Sequence, residues 1–146
     1  MDRFFGVWKL QSFLMSTKSG LVKFSPLGKN PVGTLIYTEN GYMSVHLSKR
    51  NRKRFSSQYA MVGIGKKDEV NDTIRNYVAY CGLFSLEGDN TIHHKIDSHI
   101  IPNELGKDYV RYYKFENDRL ILDTAPMKIG VFSLVGSLVW KKHDEA

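Results

Sequence analysis

The sequence predicts an all-β protein, an eight-stranded antiparallel up-and-down barrel with one short inserted helix. Three observations predict it. Eight segments alternate apolar and polar residues with a period of two, and turn residues separate them. The first segment opens on Gly6-Val7-Trp8 and the last ends on Leu138-Val139-Trp140-Lys141, which suits first and last strands that meet. The segments also follow one another too regularly for the long crossovers of a parallel sheet.

In chain order the predicted strands are Val7–Leu14, Gly33–Thr38, Tyr42–Leu47, Ala79–Leu86, Thr91–Ser98, Asp108–Phe115, Arg119–Thr124 and Val131–Lys141. Asn40-Gly41 supplies the positive φ angles of a tight hairpin after the second strand. Glu87-Gly88-Asp89-Asn90 and Glu116-Asn117-Asp118 read as two more turns. One segment breaks the alternation. From Lys66 to Tyr77, the residues Val70, Ile74 and Tyr77 recur at helical spacing against a charged opposite side. That is an amphipathic helix. It is expected to turn Val70, Ile74 and Tyr77 toward the barrel, either as a plug or lid or as a plain cap.

The 146 residues, 42% hydrophobic, suffice for one domain with a real core, and no linker divides positions 1–146. The lone Cys81 cannot form an internal disulfide, and no basic-apolar leader opens the chain. Both favour a cytoplasmic setting. No apolar run is long enough to span a membrane as a helix. The net charge is +6, and Lys49 to Arg54 packs five basic residues into six positions. A solvated loop is the plain reading of that run. A site for nucleic acid, anionic lipid or an acidic ligand is the functional one. Nucleic-acid surfaces interleave aromatics with charge over a whole face, and here only Phe55 follows, so nucleic acid is not the expected partner.

Trp8, the hairpin Gly33-Thr34-Leu35-Ile36-Tyr37-Thr38-Glu39-Asn40-Gly41-Tyr42-Met43-Ser44-Val45, Ala79-Tyr80-Cys81-Gly82-Leu83-Phe84 and Thr91-Ile92-His93-His94 form a recognisable set. Pro102-Asn103, Gly106, Val110-Arg111-Tyr112-Tyr113 and Asp118-Arg119-Leu120-Ile121-Leu122 extend it. With these motifs the chain resembles, nearly end to end, the bacterial and fungal lipocalin-like domain family of small calycin-like proteins. The resemblance implies a barrel with a central cavity and carries over no catalytic mechanism. The chain departs from the family pattern in two places. Lys95 and Asp97 stand where relatives have apolar residues, and Trp140-Lys141-Lys142 replaces a Trp-acid-Arg ending.

In a closed barrel alternate residues point inward. The more apolar parity gives Trp8, Leu10 and Ser12; Leu35 and Tyr37; Met43, Val45 and Leu47; Tyr80, Gly82, Phe84 and Leu86; Ile92, His94, Ile96 and Ser98. It continues with Tyr109, Arg111, Tyr113 and Phe115; Leu120 and Leu122; and Phe132, Leu134, Gly136, Leu138 and Trp140. The only basic or acidic side chains on that face are His94 and Arg111. If the strands close near Ser98 and Tyr109, the two are diagonal neighbours within roughly 5–8 Å. A buried unpaired charge costs several kcal/mol, so Arg111 calls for an anion or water. The plainer readings are an Arg111 that reaches solvent along the barrel axis and a His94 bonded to Tyr80, Tyr113 or Ser98.

The expected function is therefore a binding barrel for a small hydrophobic or amphipathic molecule with an anionic head, held by Tyr37, Tyr80, Phe84, His94, Arg111, Tyr113 and Leu134. No cofactor is expected. His93 and His94 face opposite sides of a strand, and the sequence shows no third metal ligand beside either. The alternative is a cofactor-free isomerase or cyclase with His94 as acid and base and Arg111 or Tyr113 stabilising an oxyanion. A third reading fills the barrel with side chains and leaves the basic loop to meet an acidic partner.

Overall fold

In the computed structural model, which describes residues 1–144, every one of the eight alternating segments is a strand. A one-turn helix at Asp2–Phe4 precedes β1 (Gly6–Thr17), the short β2 (Lys23–Phe24), β3 (Val32–Tyr37) and β4 (Tyr42–Ser48). Next come α1 (Lys67–Arg75), β5 (Tyr77–Glu87), β6 (Thr91–His99), β7 (Asp108–Glu116), β8 (Arg119–Thr124), the short β9 (Met127–Ile129) and β10 (Phe132–Lys142). The eight long strands pair antiparallel in chain order, and β1 pairs with β10 to close the ring. Trp8 stands opposite Lys142 and Leu10 opposite Trp140. Closure leaves no long edge unpaired. β2 and β9 are too short to show a period, and both are hairpin partners at strand ends.

The two ends of the barrel differ. At one end the connections are tight turns, with Gly41 at φ 87°, Gly88 at φ 62° and Asn117 at φ 56° supplying the left-handed positions. Phe4 plugs this end. Its ring meets Tyr37, Tyr113 and Phe115 edge-on at 5.4, 4.8 and 5.0 Å, and its carbonyl accepts the Trp8 indole N–H at 2.8 Å. Lys142 lies over the Trp8 ring at 4.6 Å and donates to the Phe5 carbonyl. The long connections all emerge at the other end, and that end is open.

Inward parity holds along most strands, and three departures have identifiable causes. Ser12 is exposed, not inward, because a bulge between Leu10 and Ser12 slips the register against β10. Beyond it Phe13 and Met15 turn in. Ser98 is also exposed. A second bulge sets Cys81 opposite Ser98 and Gly82 opposite Ile96, leaving Asp97 as the extra residue and turning His99 inward. Phe132 is largely exposed, because it forms the rim hairpin with Ile129 above the barrel wall.

The β6–β7 register also differs from the expected one. Tyr109 pairs with His94, not Ser98, and Arg111 pairs with Ile92. The helix departs from expectation more plainly. Val70 and Ile74 are 40% and 47% exposed, and no residue of α1 is buried. Tyr77 begins β5 and bonds His46 on the outer wall at 2.8 Å. α1 therefore does not plug the barrel, and Val70 and Ile74 do not pack into it. Phe55 and Val70 both lie close to Gly65, just before the helix.

Candidate functional site

Alternation on eight strands lines the barrel with apolar side chains, and the filled-barrel reading fails on what they enclose. A cavity of about 530 Å³ opens between the long connections. Leu35, Val45, Leu47, Val78, Leu122 and Leu138 make its walls. Tyr80, His94, His99, Tyr109, Arg111 and Trp140 bring nearly all its polar atoms, with Glu104 and Asp108 at the mouth.

Of the residues expected to hold a ligand, Tyr80, His94 and Arg111 line this cavity. Tyr37, Phe84 and Tyr113 do not; Phe84 and Tyr113 stack on Tyr37 and Phe4 in the plug. Leu134 is buried beside the β9 hairpin, away from the cavity lining. Parity gives the inward face but not the depth. A plug built from the first four residues occupies the half of the barrel where Tyr37, Phe84 and Tyr113 point, whereas Leu134 lies at the opposite end, on the rim. The alternation reading misses His99. His99 is brought in by the bulge and stacks on Tyr80 at 5.5 Å with the rings parallel to 1°. Trp140 is inward as expected, but its importance lies in its N–H. Nε1 is buried and has no hydrogen-bond partner among the described residues.

His94 is 1% exposed and sits between two phenols. Tyr37 Oη lies 2.7 Å from Nε2 and Tyr80 Oη lies 3.2 Å from Nδ1. Burial, then the charges of Arg111 and His93, push its pKa down to about 3. The ring is neutral, with one donor and one acceptor. Burial raises the pKa of both tyrosines, with Arg111 opposing, so both hydroxyls keep their protons. Among the described residues Tyr37 Oη has no partner besides His94, and a buried O–H without an acceptor is costly. Tyr37 therefore donates to Nε2, the ring proton sits on Nδ1, and Tyr80 accepts it. The Tyr80 proton is then free to be donated into the cavity.

Arg111 follows from β7 alternation and is the diagonal neighbour of His94. Its Nη1 donates to the Val110 carbonyl at 3.1 Å, and its guanidinium lies 4.9 Å from the centre of the Tyr109 ring. Asp108 is engaged by His93 at 2.8 Å, and Glu104 by Lys107. None of the ion pairs among the described residues includes Arg111. The cavity thus offers a cation and two free donors, Tyr80 O–H and Trp140 N–H.

The depressed His94 pKa has a consequence for stability. An unfolded histidine protonates near pH 6.5, and the folded one resists protonation down to about 3. The stabilisation is complete above the unfolded value and is lost as pH falls toward the folded one. Between pH 7 and pH 4.5 the loss should be on the order of 2–3 kcal/mol, read from urea unfolding at both values. His94→Gln keeps an acceptor near Tyr37 and should lose that part of the pH dependence.

The profile of the lipocalin-like domain matches residues 5–143, and the chain belongs to that family. Membership implies a small-molecule-binding barrel. A search of curated proteins finds no match to the chain.

Proposed function

We propose that this lipocalin-like barrel binds a small molecule with an apolar body and an anionic head rich in acceptors, such as a carboxylate. The observation that carries this is Arg111, a cation without a carboxylate partner among the described residues, on the wall of a largely apolar cavity. Tyr80 O–H beside it and Trp140 N–H are unspent donors, so the head should accept hydrogen bonds and not donate them. Apolar walls suit a chain or fused rings. The isomerase or cyclase reading draws less support. At a pKa of about 3 His94 is charged in roughly one molecule in ten thousand at pH 7, and both its nitrogens are engaged by tyrosines.

Native mass spectrometry of the purified protein tests the proposal. The expected result is an adduct that dissociates as an anion, is extracted into organic solvent and is displaced by a medium-chain carboxylate but not by its methyl ester. Displacement by the ester as readily as by the acid would overturn the role of Arg111. An adduct that is cationic or a free sugar would overturn the whole reading.

A further inference from the structure

We infer that the open end of the barrel docks on the surface of an anionic lipid bilayer, with the mouth of the cavity facing the membrane. Strand direction places four connections at that end, residues 18–31, 49–76, 100–107 and 125–131. Two independent properties coincide on them. The first is apolar exposure. Nine large hydrophobic side chains among the described residues are more than half exposed, and all but Met1 sit on these connections. They include Leu21 at 89%, Met61 at 101%, Val62 at 75%, Leu105 at 52% and Val131 at 94%. All four connections carry at least one, so the apolar tips surround the cavity mouth instead of forming a single patch.

The second property is charge. The four connections hold thirteen Lys and Arg against four Asp and Glu, while the rest of the chain holds eight against eleven. The net +6 of the chain is therefore strongly polarised, with the positive end at the mouth. Lys49 to Arg54, which the cavity does not use, is the densest part of this collar. Aliphatic tips inside a basic collar match a bilayer, where apolar side chains enter the acyl boundary and Lys and Arg meet anionic headgroups. They match nucleic acid poorly. Of the eight tips only Tyr59 could give a base a stacking surface; the others are aliphatic, and a phosphate backbone offers them no apolar contact.

The inference stands apart from the ligand proposal, because docking uses only residues outside the cavity and is measured on the empty protein. The test is flotation of the full chain with phosphatidylcholine vesicles containing about 30% phosphatidylserine, against phosphatidylcholine alone. Binding is expected only to the anionic vesicles at about 0.1 M salt, weakening at least roughly tenfold at about 0.5 M. The double variant Met61→Asp, Val131→Asp should also bind at least roughly tenfold more weakly, with an unchanged melting curve, since both side chains are nearly fully exposed. In a Cys81→Ser background, an environment-sensitive dye at position 61 should shift to the blue on vesicles, and one at position 89 in the opposite turn should not. Absence of binding at low salt overturns the proposal. So does unaltered binding by the double variant, the behaviour of a purely electrostatic surface for an acidic protein or nucleic acid. A blue shift at position 89 would overturn the orientation.

Discussion

Gly82→Ala is expected to destabilise the protein by about 3 kcal/mol or more, lowering the melting temperature by roughly 6–12 °C. A Cβ at this position would lie 1.8 Å from the Lys95 carbonyl oxygen and 2.8 Å from its carbon. Both obstacles are backbone of the paired strand, so no side chain can swing aside. Relief requires β5 and β6 to part where Asp97 bulges. The same bulge sets His99 on Tyr80, so the change should also disturb the polar wall of the cavity. Gly88→Ala is the contrast. Nothing lies within 4 Å of that position, and the cost there is only the left-handed φ of 62°, about 1 kcal/mol. Thermal and urea unfolding of the two variants side by side check this. A Gly82→Ala protein as stable as Gly88→Ala would mean that the strands do not approach at the bulge as described.

Bulges also explain what could and could not be read from the chain. Alternation is a local property, so it found all eight barrel strands and kept Tyr37, His94, Arg111 and Trp140 on the inner face. A bulge inserts one residue and inverts parity beyond it. Gln11 and Asp97 carry no local mark of that role. Strict alternation accordingly puts Ser12 and Ser98 on the wrong side and leaves out His99. Depth along the barrel axis is not local either. Tyr37, Phe84 and Tyr113 share the parity of Tyr80, yet Tyr37 and Tyr113 pack on Phe4 and Phe84 packs on Tyr37, and the position of Phe4 depends on the fold as a whole. The helix shows the same limit. Val70 and Ile74 have the right period, but periodicity does not name the surface a helix meets, and here it meets little.

The His94 pair of hydrogen bonds shows what packing adds to sequence. A histidine on an apolar face was open to several partners, with Tyr80 among them. The structure adds Tyr37, whose hydroxyl has only His94 to donate to, and this fixes the direction of the whole relay. Tyr37 donates to Nε2, Nδ1 donates to Tyr80, and the last proton points at the ligand space. Neutral histidine thus serves to orient Tyr80. A charged ring would lose the acceptor that Tyr37 needs and would stand beside Arg111 as a like charge.

Arg111→Leu is expected to weaken an anionic, apolar ligand by roughly 2–5 kcal/mol, about thirtyfold to several thousandfold in Kd. The loss is large because the ligand's charge would enter an apolar cavity whose remaining free donors are neutral. The empty protein should be as stable as before or more so, since a half-buried guanidinium without an ion pair is replaced by a side chain that suits its walls. Arg111→Lys keeps the charge and loses the planar fork, so it should fall between the two. Arg119 sits exposed at the closed-end turn and donates nothing to the cavity. Arg119→Leu should bind as the native chain does, which separates a local ion pair from the general field of a basic protein. Calorimetric titration of a medium-chain carboxylate into the four proteins gives the comparison. Equal affinity for the native chain and Arg111→Leu would mean that the anionic head does not meet this arginine, and the ligand would then have to be sought among neutral molecules.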